Sequence, residues 1–263
     1  MRRLLAPLLA AVLLSASAAA GLLCARTRSP EEKVIAAYTT SLANRSAGQI
    51  ENAVSAVRTL NGAVVRPGEV FSFNRRVGPW TADRGYRRAP VSYDGEITLA
   101  VGGGVCQLST TLYGAALMAG MDIVERHRHF WPVNYAKPGL DAAVAFPAVD
   151  LRFRNPLPTL VRIRARRQGD RLIAELLSTT SPGRWEIESE RLAVQQPMTL
   201  VRPEESLERG RLIRSNRGQP GMQVAVYRLH QTAHRQWERA LISVDTYPVL
   251  NRVIKIGCEL PSS

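Results

Sequence analysis

The chain is short of residue types that commonly announce chemistry. It has three cysteines and four histidines in 263 residues, and lysine is confined to Lys33, Lys137 and Lys255. A single cysteine with a His-x-His pair lacks the usual four-ligand signature of zinc, so a site of Cys106, His127 and His129 ranks below thiol chemistry, and neither a metal nor another cofactor is expected. No zinc-finger or RNP-like pattern accompanies the dispersed arginines, which argues against nucleic acid as a partner. There is no internal repeat, and no low-complexity segment beyond an apolar run at the N-terminus. The net charge is +13, from 35 basic against 22 acidic residues, and it suits anionic lipid headgroups or wall polymers. With 45% hydrophobic residues the chain can bury a core.

The N-terminus bears on compartment. Arg2 and Arg3 precede an uncharged run from Leu4 to Ala25, long enough at about 20 residues to cross a bilayer as a helix, with the chain that follows placed outside the cytoplasm. Residues 1–25 are therefore expected to be a signal anchor or a signal peptide, and residues 26–33 a juxtamembrane linker. The small-residue patches Ala16-Ser17-Ala18 and Ala18-Ala19-Ala20 suit cleavage, whereas Leu22 and Leu23 extend the run into a retained anchor. The location expected is the cell membrane facing outward, or secreted if the segment is cut.

Gly102-Gly103-Gly104-Val105-Cys106-Gln107 carries the most information. A glycine loop runs into an apolar-periodic helix with a cysteine in its first turn, where backbone N–H groups and the helix dipole hold a thiolate below the free value of about 8.5. His127 and His129 follow, then Asp141 and Asp150, which completes the residue types of a thiol protease-like relay. His129 is the preferred base because Phe130-Trp131 follow it, with His127 in reserve. Asp141, opening a segment after a Pro-Gly turn, is preferred to Asp150 as the orienting acid, although turn capping or an ion pair would account for either. Gly102, Gly103, Gly104, Gln107, Ser109 and His127 are the expected substrate-binding residues. A disulfide between Cys106 and Cys258 is the competing structural reading of the thiol.

Ser46 offers an N-cap to an amphipathic helix that ends at Asn61-Gly62. Val34 to Leu42, Leu160 to Ala165 and Leu172 to Leu177 read as strands. Met121 to Tyr135 is expected as a strand pair or one bent strand, and Arg75 to Gly95 as a long loop. The fold class expected is α+β, a central helix packed on an antiparallel sheet in a transglutaminase- or papain-like layout. A domain at 34–180 is followed by a β-rich module at 181–263.

Many phrases in order resemble the VanW family. They are Pro67-Gly68-Glu69 with Phe71-Ser72-Phe73-Asn74, Gly78-Pro79, Gly85-Tyr86 with Ala89-Pro90-Val91, and Gly102 to Tyr113. Glu125-Arg126-His127 with His129, Pro132-Val133 with Tyr135, Gly139 with Asp141-Ala142, and Asp150-Leu151 with Phe153-Arg154-Asn155 continue the series. Residues from about Val194 to Glu259 vaguely resemble the G-five type of extracytoplasmic module. The resemblance implies a cell-envelope setting with peptidoglycan peptides as partners. It implies no particular reaction. Two functions follow: a cysteine-dependent acyl transferase or amide hydrolase acting on wall stem peptides, or a non-catalytic peptidoglycan- or partner-binding protein, with a link to glycopeptide resistance.

Overall fold

The computed structural model describes residues 31–93, 96–232 and 234–257. The apolar run at 4–25, Cys24 and Cys258 lie outside these residues, and so do the expectations that rest on them. Among the described residues no helix is long and apolar enough to cross a membrane.

Strand β1 (Lys33–Ser41) leads into helix α1 (Ala47–Leu60). Ser46 caps α1 through a reciprocal box: its hydroxyl accepts from the Gln49 N–H, and its own N–H donates to Gln49 Oε1. Short strands β2 (Val64–Val65) and β3 (Val70–Ser72) precede a one-turn helix, α2 (Phe73–Val77). A hairpin of β4 (Arg88–Tyr93) and β5 (Glu96–Val101) delivers the chain to the glycine loop and to α3 (Val105–Met118). After β6 (Asp122–Glu125) the backbone is irregular as far as β7 (Arg152–Arg154), and β8 (Val161–Gln168) and β9 (Arg171–Ser178) then form a hairpin. The remaining strands are β10 (Arg184–Gln195), β11 (Thr199–Glu204), β12 (Leu212–Asn216), β13 (Gly221–Gln231), β14 (Trp237–Tyr247) and β15 (Arg252–Gly257).

These strands build five small sheets, ordered β1-β9-β8-β2, β3-β7-β6, β4-β5, β10-β13-β14 and β11-β15-β12. The α+β expectation of one central helix on one antiparallel sheet is therefore corrected. Strand (46%) far outweighs helix (16%), and the fold is β-rich. The physical reason lies in the sequence's short alternating runs. In β8, Val161, Ile163 and Ala165 are buried while arginines take the other face, and glycine and proline turns cut such runs before one broad sheet can grow. The described residues from Glu32 onward nonetheless cluster as one compact unit.

Helix α3 is buried almost all round, from Val105 and from Gln107 to Leu117. It packs against α1 and against strands β1, β6, β9 and β10, which come from three of the sheets. Gly114 makes this possible, since a Cβ there would run into the ring of Tyr38 on β1. A helix enclosed on every side has little freedom to shift, so its N-terminus is a rigid place for a reactive group.

Two other segments depart from expectation. The stretch read as a long loop holds α2 and β4. The stretch read as a strand through Tyr135 stops pairing at Glu125, apart from one bridge between His127 and Ala143. Asp150 explains the first departure: it accepts from the Ser72 hydroxyl at 2.5 Å and from the Asn74 N–H at 2.8 Å, tethering the start of α2. The bland capping role weighed for an aspartate thus belongs to Asp150.

Candidate functional site

The glycine loop is held in place from α1. Buried Asn52 donates from Nδ2 to Arg87 O at 2.8 Å and to Gly103 O at 2.9 Å, and accepts from the Arg87 N–H at 2.7 Å. Gln49 adds a bond from Nε2 to Pro90 O at 2.8 Å. Gly104 is the helix N-cap at φ +107°, and a Cβ there would collide with the Gln49 carbonyl. Gly104→Ala should therefore lower stability by roughly 2–3 kcal/mol, because it adds both backbone strain and overpacking. Thermal unfolding reads this directly, and an unchanged midpoint would mean that the loop has room to spare.

Cys106 follows in the first turn, half-buried and unbonded to another cysteine among the described residues. Its Sγ lies 3.3 Å from Val144 O. Burial pushes its pKa up, but the hydrogen bond and positive charge of His129 outweigh burial and leave the thiol below its ordinary value. His129 is pushed the other way. Burial disfavours its charge, yet the bonds to Asp141 and Cys106 raise it to about 9. The stabilisation from its protonated form is complete below the ordinary value of 6.5 and is lost as pH rises through about 9.

Asp141 is the hub of the site, with its side chain 1% exposed. Its Oδ2 takes His129 Nδ1 at 2.7 Å and also the His129 main-chain N–H at 2.6 Å, so the carboxylate fixes ring and backbone together. Its Oδ1 accepts from the Tyr247 hydroxyl at 2.5 Å and from Arg126 Nη2 at 3.2 Å. The Tyr247 oxygen in turn accepts from the Gly139 N–H at 2.8 Å. Arg126 also donates from Nε to Asp141 O at 2.6 Å, from Nη2 to Gly139 O at 3.1 Å, and from Nη1 to both oxygens of Asp245 at 2.7 and 2.6 Å. Burial opposes the charges of both partners; the His129 bond and Arg126 still hold Asp141 below its usual range, while Tyr113, Asp141 and Asp245 hold Arg126 above its own.

A cavity of 380 Å³ opens beside this relay, lined by Gly102, Gly103, Gly104, Cys106, Gln107 and His129 together with Arg45, Trp131, Asn134 and Tyr135. Gln107 is anchored from below, since its Nε2 donates to Ser41 O at 2.7 Å. Ser109 lies away from the cavity, with its hydroxyl bonded to Ala142 O at 2.6 Å inside the core. His127 also lies elsewhere, paired with Glu125 at 3.0 Å and facing a second hollow with Arg126, Phe130 and Asp245. The structure thus brings Cys106, His129, Asp141, the three glycines and Gln107 together, and leaves Ser109 and His127 outside. Among the described residues, no group of three or more His, Cys, Asp or Glu side chains is arranged to hold a metal ion.

Sequence reasoning missed Asn52, Arg45, Tyr135, Arg126, Asp245 and Tyr247. Of these, Arg126 and Tyr135 carried a signal, as parts of the Glu125-Arg126-His127 phrase and of the Pro132-Val133 phrase with Tyr135.

Fold and site together define a β-rich protein with a cysteine, a histidine and an aspartate clustered by the start of an enclosed helix. Residues 48–177 match the family model described as VanW like protein, and over that domain the chain is a VanW-family protein. It is similar to the "Uncharacterized protein YoaR" of Bacillus subtilis (strain 168), 39% identical over 142 residues that cover 54% of this chain and 47% of that one. It is also similar to the "Vancomycin B-type resistance protein VanW" of Enterococcus faecalis (strain ATCC 700802 / V583), 29% identical over 139 residues that cover 51% of this chain and 50% of that one. The chain spans about half the length of the curated relatives it matches. Among solved structures, part of the chain overlaps the IgA1 protease G5 domain, with 16% identity and a TM-score of 0.24 over 29% of this chain and 89% of that one. Part also overlaps HP0197-G5, with 18% identity and a TM-score of 0.17 over 28% of this chain and 100% of that one. Overlaps at these scores carry no functional argument.

Proposed function

We propose that this is an exported cell-envelope protein whose Cys106 thiolate attacks an amide of cell-wall stem peptides, as an acyl transferase or amide hydrolase. The observation that carries the chemistry is the placement of His129 beside Cys106 in the wall of one cavity, with its ring held to Asp141 through Nδ1. Export rests on Arg2, Arg3 and the uncharged run that follows them, and the wall substrate on the family setting.

In the proposed step the sulfur forms a bond to the acyl carbon, and the carbonyl electrons move to oxygen. The Cys106 N–H is the oxyanion donor best placed for this, since it lies between the Val105 and Gln107 amides, which donate to Gly102 O and Gly104 O at 3.1 Å each. Collapse of the adduct breaks the C–N bond as His129 gives its proton to the leaving amine. Water or an incoming amine then attacks the thioester, returns a proton to His129 and regenerates the thiolate. Asp141 stays ionised throughout and keeps the imidazole oriented.

The test is the pH profile of Cys106 alkylation by iodoacetamide. At mildly acidic pH the rate should exceed that of a free thiol of pKa about 8.5, and it should change again near pH 9 as His129 loses its proton. A profile that follows an ordinary thiol defeats the catalytic proposal and leaves the non-catalytic binding reading. A peptide linking Cys106 to Cys258 in a non-reducing digest would do the same.

A further inference from the structure

We propose that the cavity beside Cys106 selects an acyl donor bearing a free carboxylate, which it engages through Arg45; the inference rests on the thiol reading above. Cys106 and His129 both line the cavity, and each favours the other's charged form, so a charge on one is offset by the other. Among the described residues no aspartate or glutamate lines it, and Arg45 is its one arginine or lysine, so the wall presents a net positive charge.

Arg45 is built into position and left without a counter-ion. It sits half-buried in the turn between β1 and α1, with its N–H donating to Leu42 O at 3.1 Å. Its guanidinium lies over the Tyr135 ring, 4.7 Å from the centroid, and Nη2 donates to the neutral Asn134 side chain. Its Nε is buried with no partner, and it forms no ion pair among the described residues. Arg126, which contacts Asp141 directly, is by contrast saturated by two carboxylates. A pre-positioned guanidinium whose bonds go to neutral groups is a carboxylate receptor of the usual planar kind, worth more in a recess than on open surface. A substrate fragment ending in an acidic group would supply the missing charge and orient the neighbouring carbonyl toward the thiolate.

Two alkylating probes test this. Iodoacetate and iodoacetamide react alike, a C–S bond forming as iodide leaves with the electrons of the C–I bond, but only the first carries a carboxylate. In the full protein Cys106 should favour iodoacetate over iodoacetamide more strongly than a small free thiol does. Arg45→Met should cut that preference by about tenfold, the scale of one charge-assisted hydrogen bond, the two reagents being compared within the same variant. Arg45→Lys should restore part of it. On the unaltered protein, N-acetylglycine should protect Cys106 from iodoacetamide better than its amide does, a measurement that needs no variant to fold. Normal labelling with an unchanged rate ratio in Arg45→Met, or equal protection by acid and amide, overturns the carboxylate inference alone. A Cys106 that neither reagent labels faster than a free thiol overturns the thiol reading and this inference with it.

Discussion

On the proposed thiol chemistry, alanine at Cys106 is expected to abolish turnover of a stem-peptide amide and alanine at His129 to do nearly the same, each by about a thousandfold or more, with the double variant losing little beyond either one. The non-additivity follows from the geometry. His129 is held through Nδ1 by Asp141 at 2.7 Å, and His129 in turn lowers the pKa of the Cys106 thiol. Remove either and the other has no task. Liberated amine is the quantity to measure, with the unfolding midpoint alongside it. A merely structural cysteine would behave differently: Cys106→Ser, close in volume, would keep full function, and Cys106→Ala would lose stability in proportion to the cavity it leaves. Full activity in a folded Cys106→Ser protein rules out thiol chemistry.

Arg126→Met should be the most destabilising of the site substitutions, by about 3–5 kcal/mol, because it strands Asp141 and Asp245 in the interior without their shared cation. The side chains of Arg126 and Asp141 are 6% and 1% exposed, so water cannot take over the lost bonds. Arg126→Lys should rescue little. One ammonium cannot reach Asp141 O, Gly139 O and two carboxylates from a single position, whereas the guanidinium fork does. Urea unfolding gives the magnitude, and a loss below about 1 kcal/mol would show that the network does not brace the site.

Local features of the fold were legible wherever a single residue or a short period carries the signal. Ser46 announced its helix as a cap, the glycines announced the approach to Cys106, and arginines alternating with Val161, Ile163 and Ala165 announced β8. The architecture was less legible. Helix α3 was expected to be central, but nothing in its sequence says that its neighbours come from three sheets. His129 was found through its aromatic followers, although the strand invoked to carry it ends at Glu125 and its backbone is fixed by Asp141 instead. Asp141 and Asp150 could be ranked but not separated, because a carboxylate that caps a turn and one that orients a base look alike before their donors are known. Arg126, Asp245 and Tyr247 were out of reach for a different reason. Their contacts join chain segments far apart, and no local pattern encodes a partner so distant.

The family match stops at residue 177, but the Tyr247 hydroxyl reaches Asp141 from strand β14. The unit of inheritance and the unit of chemistry therefore have different edges. A polypeptide cut after residue 180 would keep the thiol, the imidazole and the carboxylate in its sequence yet lose the hydroxyl and the second acid that saturate Asp141 and Arg126. Grafting the matched stretch onto another protein would transfer a motif without its brace. A substitution in the last strands could then register as a fault in a histidine more than a hundred residues upstream, so genetic screens of such chains should score hits at Asp245 and Tyr247 as lesions of the site itself.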